Sequence, residues 1–391
     1  MKIAVLSNLV DIREIRIFAE AFKKHEFFWI TDKYYFEGRE GNLCCVNCCY
    51  PNQERKNRNF FRKALYEVWK LATPIRPEFF IGRSAEYPCF DDGFLAEMDL
   101  CIPLGDLEAY CVLKLRKEHH YRYKTIFRDA ETIPFLYQGK SDMRHVWKAI
   151  NRETNLFLPW TNRIRNKEII EGVDPGRSVV LYDGIYTDNF RKKPKDMNLV
   201  GELGLSGETV LMTVGKIEEN KGLDFLLEAD GIMKKKGFSF VHYYLGNGKL
   251  FDSYLEQARK MGLDKCSRFT GFIPNKDLCR YLNLADVFIH GSISLKSWEE
   301  QFGIALVEAM SCELPIVTTY CGSIPEVVGD AAVLVHERSA AEICGAVLNL
   351  VAHPGSAARL GKMARERAVR LFDTSVISAR FLEIIENLCR E

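Results

Sequence analysis

Short apolar runs alternate with stretches of helical periodicity along this chain, most regularly after residue 200. Thr209-Val210-Leu211-Met212-Thr213-Val214-Gly215 is continuously apolar, as a strand buried on both faces requires, and the spacing predicts a helix from Gly222 to about Lys235. The pairing recurs with a strand at 240–245 and a helix at 250–261, then a strand at 268–270 and a helix at 276–283. A strand at 285–290 precedes a helix that opens at Phe302-Gly303-Ile304. Ile316-Val317-Thr318 and Ala332-Val333-Leu334-Val335 complete about six strands, and such alternation predicts a parallel sheet wound by helices on both faces.

The first half carries a weaker version of the pattern. Met1-Lys2-Ile3-Ala4-Val5-Leu6 reads as a first buried strand, too short before Asn8 and Asp11 for a signal peptide. Residues 189–206 include Arg191-Lys192-Lys193-Pro194-Lys195-Asp196, a polar, proline-bearing stretch without apolar period, which predicts a linker. A chain of 391 residues divides into about two cores. The predicted division is 1–195, 196–372 and a final helical segment, 373–391.

Composition narrows the partners. The apolar share of 47% supports two full cores, and the net charge of +1, with a mild basic excess in the first half, does not suggest nucleic acid. No run of ~18 apolar residues marks a membrane span. Thirteen cysteines, mostly without scaffold-like spacing, fit a reducing cytosol. Cys44-Cys45-Val46-Asn47-Cys48-Cys49 would suit a metal if a second ligand pair were near; the chain shows none, and the reading preferred is small hydrophobes in a strand or its turn, with no metal. Residues 55–70 place Phe61, Ala64, Leu65 and Val68 at helical spacing among basic residues and Trp69. Two readings stand: a helix with its stripe on the sheet, or peripheral contact with the anionic inner face of a membrane.

The chemistry concentrates at 292–315. Glu300 and Glu308 flank, with seven residues between them, the start of the helix at Phe302-Gly303-Ile304. A helix N-terminus attracts phosphate, a glycine there lets a ligand approach the backbone, and neighbouring carboxylates suit sugar hydroxyls. Glu308 lies among Leu306, Val307, Ala309 and Met310, where an idle carboxylate would be costly to bury.

This block resembles the E-x7-E signature of retaining glycosyltransferases of the GT-B fold, the family 4 group. The match runs through Ser292, Glu300, Phe302-Gly303-Ile304, Glu308-Ala309-Met310, Leu314-Pro315-Ile316-Val317 and Gly322-Ser323-Ile324-Pro325-Glu326-Val327-Val328. The resemblance implies two Rossmann-like domains with a cleft between them and a C-terminal helix crossing back to the first. It implies a nucleotide-diphosphate sugar donor, UDP- or GDP-linked, no further cofactor, and transfer with retention to an acceptor it does not name. Lys216 stands where the family usually has an arginine and Lys221 where it has a lysine, and both are thereby implied to hold the diphosphate.

Glu308 is implied to bind ribose hydroxyls and Glu300 those of the transferred sugar, with backbone N–H groups from Phe302, Gly303 and Ile304. Ile273, in Gly271-Phe272-Ile273-Pro274, is implied to meet the base, and Gly246 the cleft rim. The resemblance places a mid-domain strand in the run from Tyr123 to Glu131, with Arg128 and Asp129, the acceptor-side candidates, at the strand end, and the last strand of the first domain at Val179-Val180-Leu181-Tyr182-Asp183-Gly184-Ile185. In the first strand's loop, the glycine pair usual in relatives is replaced by Asn8 and Leu9. Alternative readings are a phosphorylase or epimerase on the same donor site, or a non-catalytic nucleotide-sugar-binding protein.

Overall fold

The computed structural model describes residues 1–7, 26–31, 39–40, 43–47, 95–136 and 144–390. The Asn8-Leu9 loop, the helix expected at 55–70 and Cys48-Cys49 lie outside the described residues, as do the side chains of Cys44 and Cys45. The chain forms two compact units, one of residues 1–160, 164–181 and 378–391, the other of residues 161–163 and 182–377.

The first unit is built on a seven-stranded sheet. Its strands are β1 (Lys2–Ser7), β2 (Glu26–Thr31), β3 (Arg39–Glu40), β4 (Leu43–Asn47), β5 (Leu100–Pro103), β6 (Lys124–Phe127) and β7 (Leu156–Phe157), in the order β3-β4-β2-β1-β5-β6-β7. All pairs are parallel except β3 with β4. Helices α1 (Asp106–Glu118), α2 (Arg144–Glu153) and α3 (Asn162–Ile170) follow β5, β6 and β7. Ala109 and Leu113 of α1 and Val146, Trp147 and Ile150 of α2 bury against Phe127 and Phe157.

The segment 179–185 differs from the expected strand. Val179 N–H donates to Phe157 O and Leu181 N–H to Pro159 O, so the chain runs beside the β7 edge without forming a ladder. Residues 189–206 differ too. They contain helix α4 (Met197–Leu203), for which Asp196 accepts from the N–H groups of Asn198 and Leu199, while Gly204 closes it in the left-handed conformation. An apolar period cannot announce a seven-residue helix that buries one leucine, Leu199; its caps do.

The second unit holds a parallel six-stranded sheet, β8 (Thr209–Val214), β9 (Phe240–Leu245), β10 (Ser267–Gly271), β11 (Val287–His290), β12 (Ile316–Thr319) and β13 (Val333–Val335), ordered β10-β9-β8-β11-β12-β13. Helices α5 (Leu223–Lys235), α6 (Phe251–Lys260), α7 (Asn275–Leu282), α8 (Ile304–Ser311), α9 (Ile324–Val328), α10 (Ala340–Ala352) and α11 (Pro354–Phe372) wind it. Helix α12 (Thr374–Arg390) ends the chain. The core gathers Leu226, Leu227 and Met233 of α5 with Ile343 and Val347 of α10 over Leu211, Tyr244, Ile289 and Val317.

A polar network is buried within that core. Asp230 on α5 accepts from the hydroxyls of Tyr244 (2.8 Å) and Ser267 (2.7 Å), and its other oxygen lies 2.9 Å from His242 Nδ1. Thr213 Oγ1 donates to Ile289 O at 2.8 Å, so it accepts from His242 Nε2, 2.9 Å away. The Thr213 bond ties β8 to β11, the strands whose carboxyl ends carry the candidate site.

Candidate functional site

In a parallel sheet the carboxyl ends of the strands point their loops to one edge, where ligands bind. Lys216, Lys221, Gly246, Ser292 and Glu300 all follow such ends, in the loops after β8, β9 and β11. The β8 and β9 loops are pressed together: Gly215 N–H donates to Leu245 O and Ile217 N–H to Asn247 O. A Cβ on Gly246 would stand 1.8 Å from Gly215 O, so the rim at Gly246 is backbone against backbone.

Lys221 closes a single 3₁₀ turn, Glu219–Lys221, and Gly222 then reverses the chain into α5 with φ +63°. A Cβ at Gly222 would lie 2.2 Å from Gly291 O; only glycine meets both demands. The loop is fixed further by Ile293 N–H donating to Asn220 O at 2.9 Å. The Lys221 stem lies over Gly215, and its ammonium sits 4.8 Å from the centre of the Trp298 ring, within cation–π range. Lys216, next to Gly215, is exposed.

Glu300 is buried at 7% exposure, and three donors converge on one of its oxygens. Lys221 Nζ is 2.6 Å from Oε2, Ser292 Oγ donates to it at 2.7 Å, and His290 Nε2 is 3.0 Å away. Ser292 Oγ and His290 Nε2 are themselves 2.9 Å apart. Burial alone would raise the Glu300 pKa, but the Lys221 charge and the His290 hydrogen bond reverse this and hold the carboxyl well below its ordinary range. Burial also lowers the His290 pKa, against the pull of Glu300, and keeps the imidazole neutral. The Glu300 backbone is pinned as well, its carbonyl accepting from Ser323 N–H at 2.8 Å.

Helix α8 begins where expected, with Gly303 as its N-cap at φ +82°. The Phe302 side chain is buried against Tyr182 and Phe372, so only its backbone can face a ligand. Ile304 is half-buried at the first turn, where Leu306 N–H donates to Gly303 O at 2.9 Å while the N–H groups of Ile304 and Ala305 come too early in the helix to meet a carbonyl one turn back. Glu308 is buried, with Asn275 Nδ2 of α7 at 3.4 Å from its Oε1. Ile273, just before α7, is half-buried beside the exposed Phe272. Glu299 turns the other way, to Arg163 Nε at 2.7 Å.

The second unit thus brings Lys221, Glu300, Ser292, His290 and Trp298 into direct contact. His290, Trp298 and Asn275 carried no role in the sequence reading. Residues 290 and 292 are two apart on extended chain and therefore face the same side, a period that could have flagged the His290–Ser292 pair.

Arg128 and Asp129 lie in the first unit, beyond the end of β6. Asp129 is 4% exposed and accepts from the buried Lys167 ammonium at 2.9 Å; Arg128 Nη1 donates to Leu181 O at 3.1 Å, and its guanidinium stands 5.8 Å from the Trp160 ring.

Residues 200–367 match the family model described as glycosyl transferases group 1. The amylovoran biosynthesis glycosyltransferase AmsK of Erwinia amylovora is 28% identical over 240 residues, 60% of this chain and 57% of that protein. A glycogen synthase of Mycobacterium tuberculosis is 27% identical over 277 residues, 66% of this chain and 63% of the synthase. The chain spans about six tenths of the length of these curated relatives. Among solved structures, Anabaena HepE in complex with UDP aligns with a TM-score of 0.76 at 16% identity, over 99% of this chain and 100% of that one. At such identity the likeness shows the fold, which is GT-B: two parallel-sheet α/β domains. The stretch that matches the family model lies within the second unit.

Proposed function

We propose that this protein transfers a sugar from a nucleotide-diphosphate sugar to an acceptor hydroxyl with retention of configuration, as an E-x7-E enzyme of the family 4 type. The observation that carries the reading is the Lys221–Glu300 pair at the carboxyl edge of the second sheet, with Lys221 one glycine from α5 and Glu300 three residues ahead of the Gly303 cap. Lys221 and Lys216 neutralise the diphosphate, whose charge grows as the sugar leaves, and the first-turn N–H groups of α8 add to them. Glu308 accepts from the ribose hydroxyls, and Glu300 accepts from a hydroxyl of the sugar. The backbone around Ile273 meets the base. UDP is the nucleotide favoured, since HepE was crystallised with it; a GDP-sugar is the other arm of the test.

In the step proposed, the bond from the anomeric carbon to phosphate oxygen breaks and the acceptor oxygen bonds to the same face. The departing phosphate oxygen takes the acceptor proton, so no protein nucleophile is needed. Positioning and electrostatics supply the acceleration. Arg128 and Asp129, buried and already engaged, enter as supports of the backbone after β6, not as groups that touch the acceptor.

Purified protein is to be assayed with UDP-glucose and GDP-mannose for transfer and for slow donor hydrolysis. Lys221→Ala, Glu300→Ala and Glu308→Ala should each lower kcat by at least about a hundredfold with unchanged circular dichroism. Wild-type turnover in Lys221→Ala overturns the assignment.

A further inference from the structure

Glu300 is held by one oxygen only. Lys221, Ser292 and His290 all converge on Oε2, while Oε1 has no hydrogen-bond partner among the described residues. A carboxylate accepts through both oxygens, so three donors on one leave the other directed away from the clamp. We propose that Ser292 and His290 are positioning residues that anchor Glu300 through Oε2 and thereby aim Oε1 at a hydroxyl of the donor sugar. The proposal rests on the glycosyltransferase reading above and adds to it which residues fix the sugar-binding carboxylate, and through which atom.

The proton pattern is determined by the geometry. The Ser292 hydroxyl has one hydrogen, given to Glu300 Oε2, so towards His290 it accepts and His290 Nε2 carries the hydrogen. Nε2–H is thereby shared between Ser292 Oγ at 2.9 Å and Glu300 Oε2 at 3.0 Å. Both side chains are buried, and their backbones are held from the neighbouring strand: His290 O accepts from Thr318 Oγ1 and Ser292 O from Thr319 Oγ1, both on β12.

The clamp also separates two jobs within the site. When a diphosphate draws Lys221 away, Glu300 loses its cation but keeps Ser292 and His290, so its orientation does not depend on the lysine. Nucleotide affinity should then be independent of the clamp, and sugar recognition should depend on it.

Ser292→Ala and His290→Leu each remove one donor; His290→Gln keeps an N–H near the Nε2 position. Calorimetric titration with UDP and UDP-glucose, and with GDP and GDP-mannose, gives the affinities, and turnover assays give kcat and KM. The expected result is UDP (or GDP) affinity within twofold of wild type in all three variants. Nucleotide-sugar kcat/KM should fall about tenfold to a hundredfold in Ser292→Ala and His290→Leu, the range for a hydrogen bond to a charged group, with His290→Gln restoring most of it. Equal losses for nucleotide and nucleotide-sugar mean a merely structural role and overturn the clamp, as does an unaltered kcat/KM in Ser292→Ala. Should His290→Leu fail to fold, Ser292→Ala and His290→Gln decide alone. A wild-type chain that binds none of the four compounds overturns both the clamp and the function beneath it, whereas wild-type binding with indifferent variants overturns the clamp only.

Discussion

Glu168 shows how far a single side chain departs from its ordinary chemistry here. It is buried on α3, its Oε2 accepts from Ser178 Oγ, and its Oε1 lies within the protein with no hydrogen-bond partner among the described residues. Burial, with Asp129 nearby, raises its pKa to about 9, so the carboxyl is protonated at neutral pH. A carboxyl whose folded pKa lies above its unfolded value binds an extra proton when folded, so it costs stability as pH rises from about 4.5 towards 9. Glu168→Gln removes that cost, and the melting temperature should gain at pH 8 by the equivalent of about 1–2 kcal/mol relative to its change at pH 5. Scanning calorimetry of both proteins at the two pH values checks it. Nothing in the sequence around Asn166-Lys167-Glu168 distinguishes this residue from a solvated helix glutamate, because its state is set by Asp129 and Ser178, distant in sequence and brought close by folding.

At the scale of elements, the β8–α5 turn sets where the charge of the site stands. Gly222 combines a left-handed φ with contact on Gly291 O, so Gly222→Ala incurs both the left-handed penalty and the displacement of Gly291. The expected loss is at least about 2 kcal/mol, a fall in melting temperature of roughly 4–8 °C, accompanied by weaker nucleotide binding because Lys221 moves with the turn. Thermal melts with and without UDP measure both.

Elements of this unit were legible because they are long and periodic: β9 was expected at 240–245 and is found there, and α5 begins at Leu223, one residue from expectation. Helix α4 was missed because a short helix with one buried residue carries no period, only its Asp196 and Gly204 caps. The strand expected at 179–185 rests on the family resemblance, which says nothing of the partner that a ladder needs in this chain. Glu300 and Lys221 were legible as a motif. Their contact was not, since 79 residues separate them.

For the whole molecule, the division into two compact units has a thermodynamic consequence. Each unit has its own sheet and apolar core, so heating should resolve two transitions, one for each. A nucleotide-sugar bound by the second unit should shift that unit's transition by mass action, about 2.7 kcal/mol at a hundred times its dissociation constant. Calorimetry with increasing UDP-glucose measures this, and the proposed donor assignment predicts that the other transition moves less. No helix among the described residues is long and apolar enough to cross a membrane, which leaves contact through residues 55–70 to be tested by flotation with anionic vesicles at low salt.

The ammonium of Lys221 above the Trp298 ring also makes the site report optically on its own occupancy. A positive charge near an indole shifts the energy of its excited state, so an ammonium that leaves the ring for a diphosphate changes the colour and yield of emission. Titration with UDP should therefore alter the intrinsic fluorescence without any label. Trp298→Phe should silence that change while the emission of Trp147 and Trp160 persists.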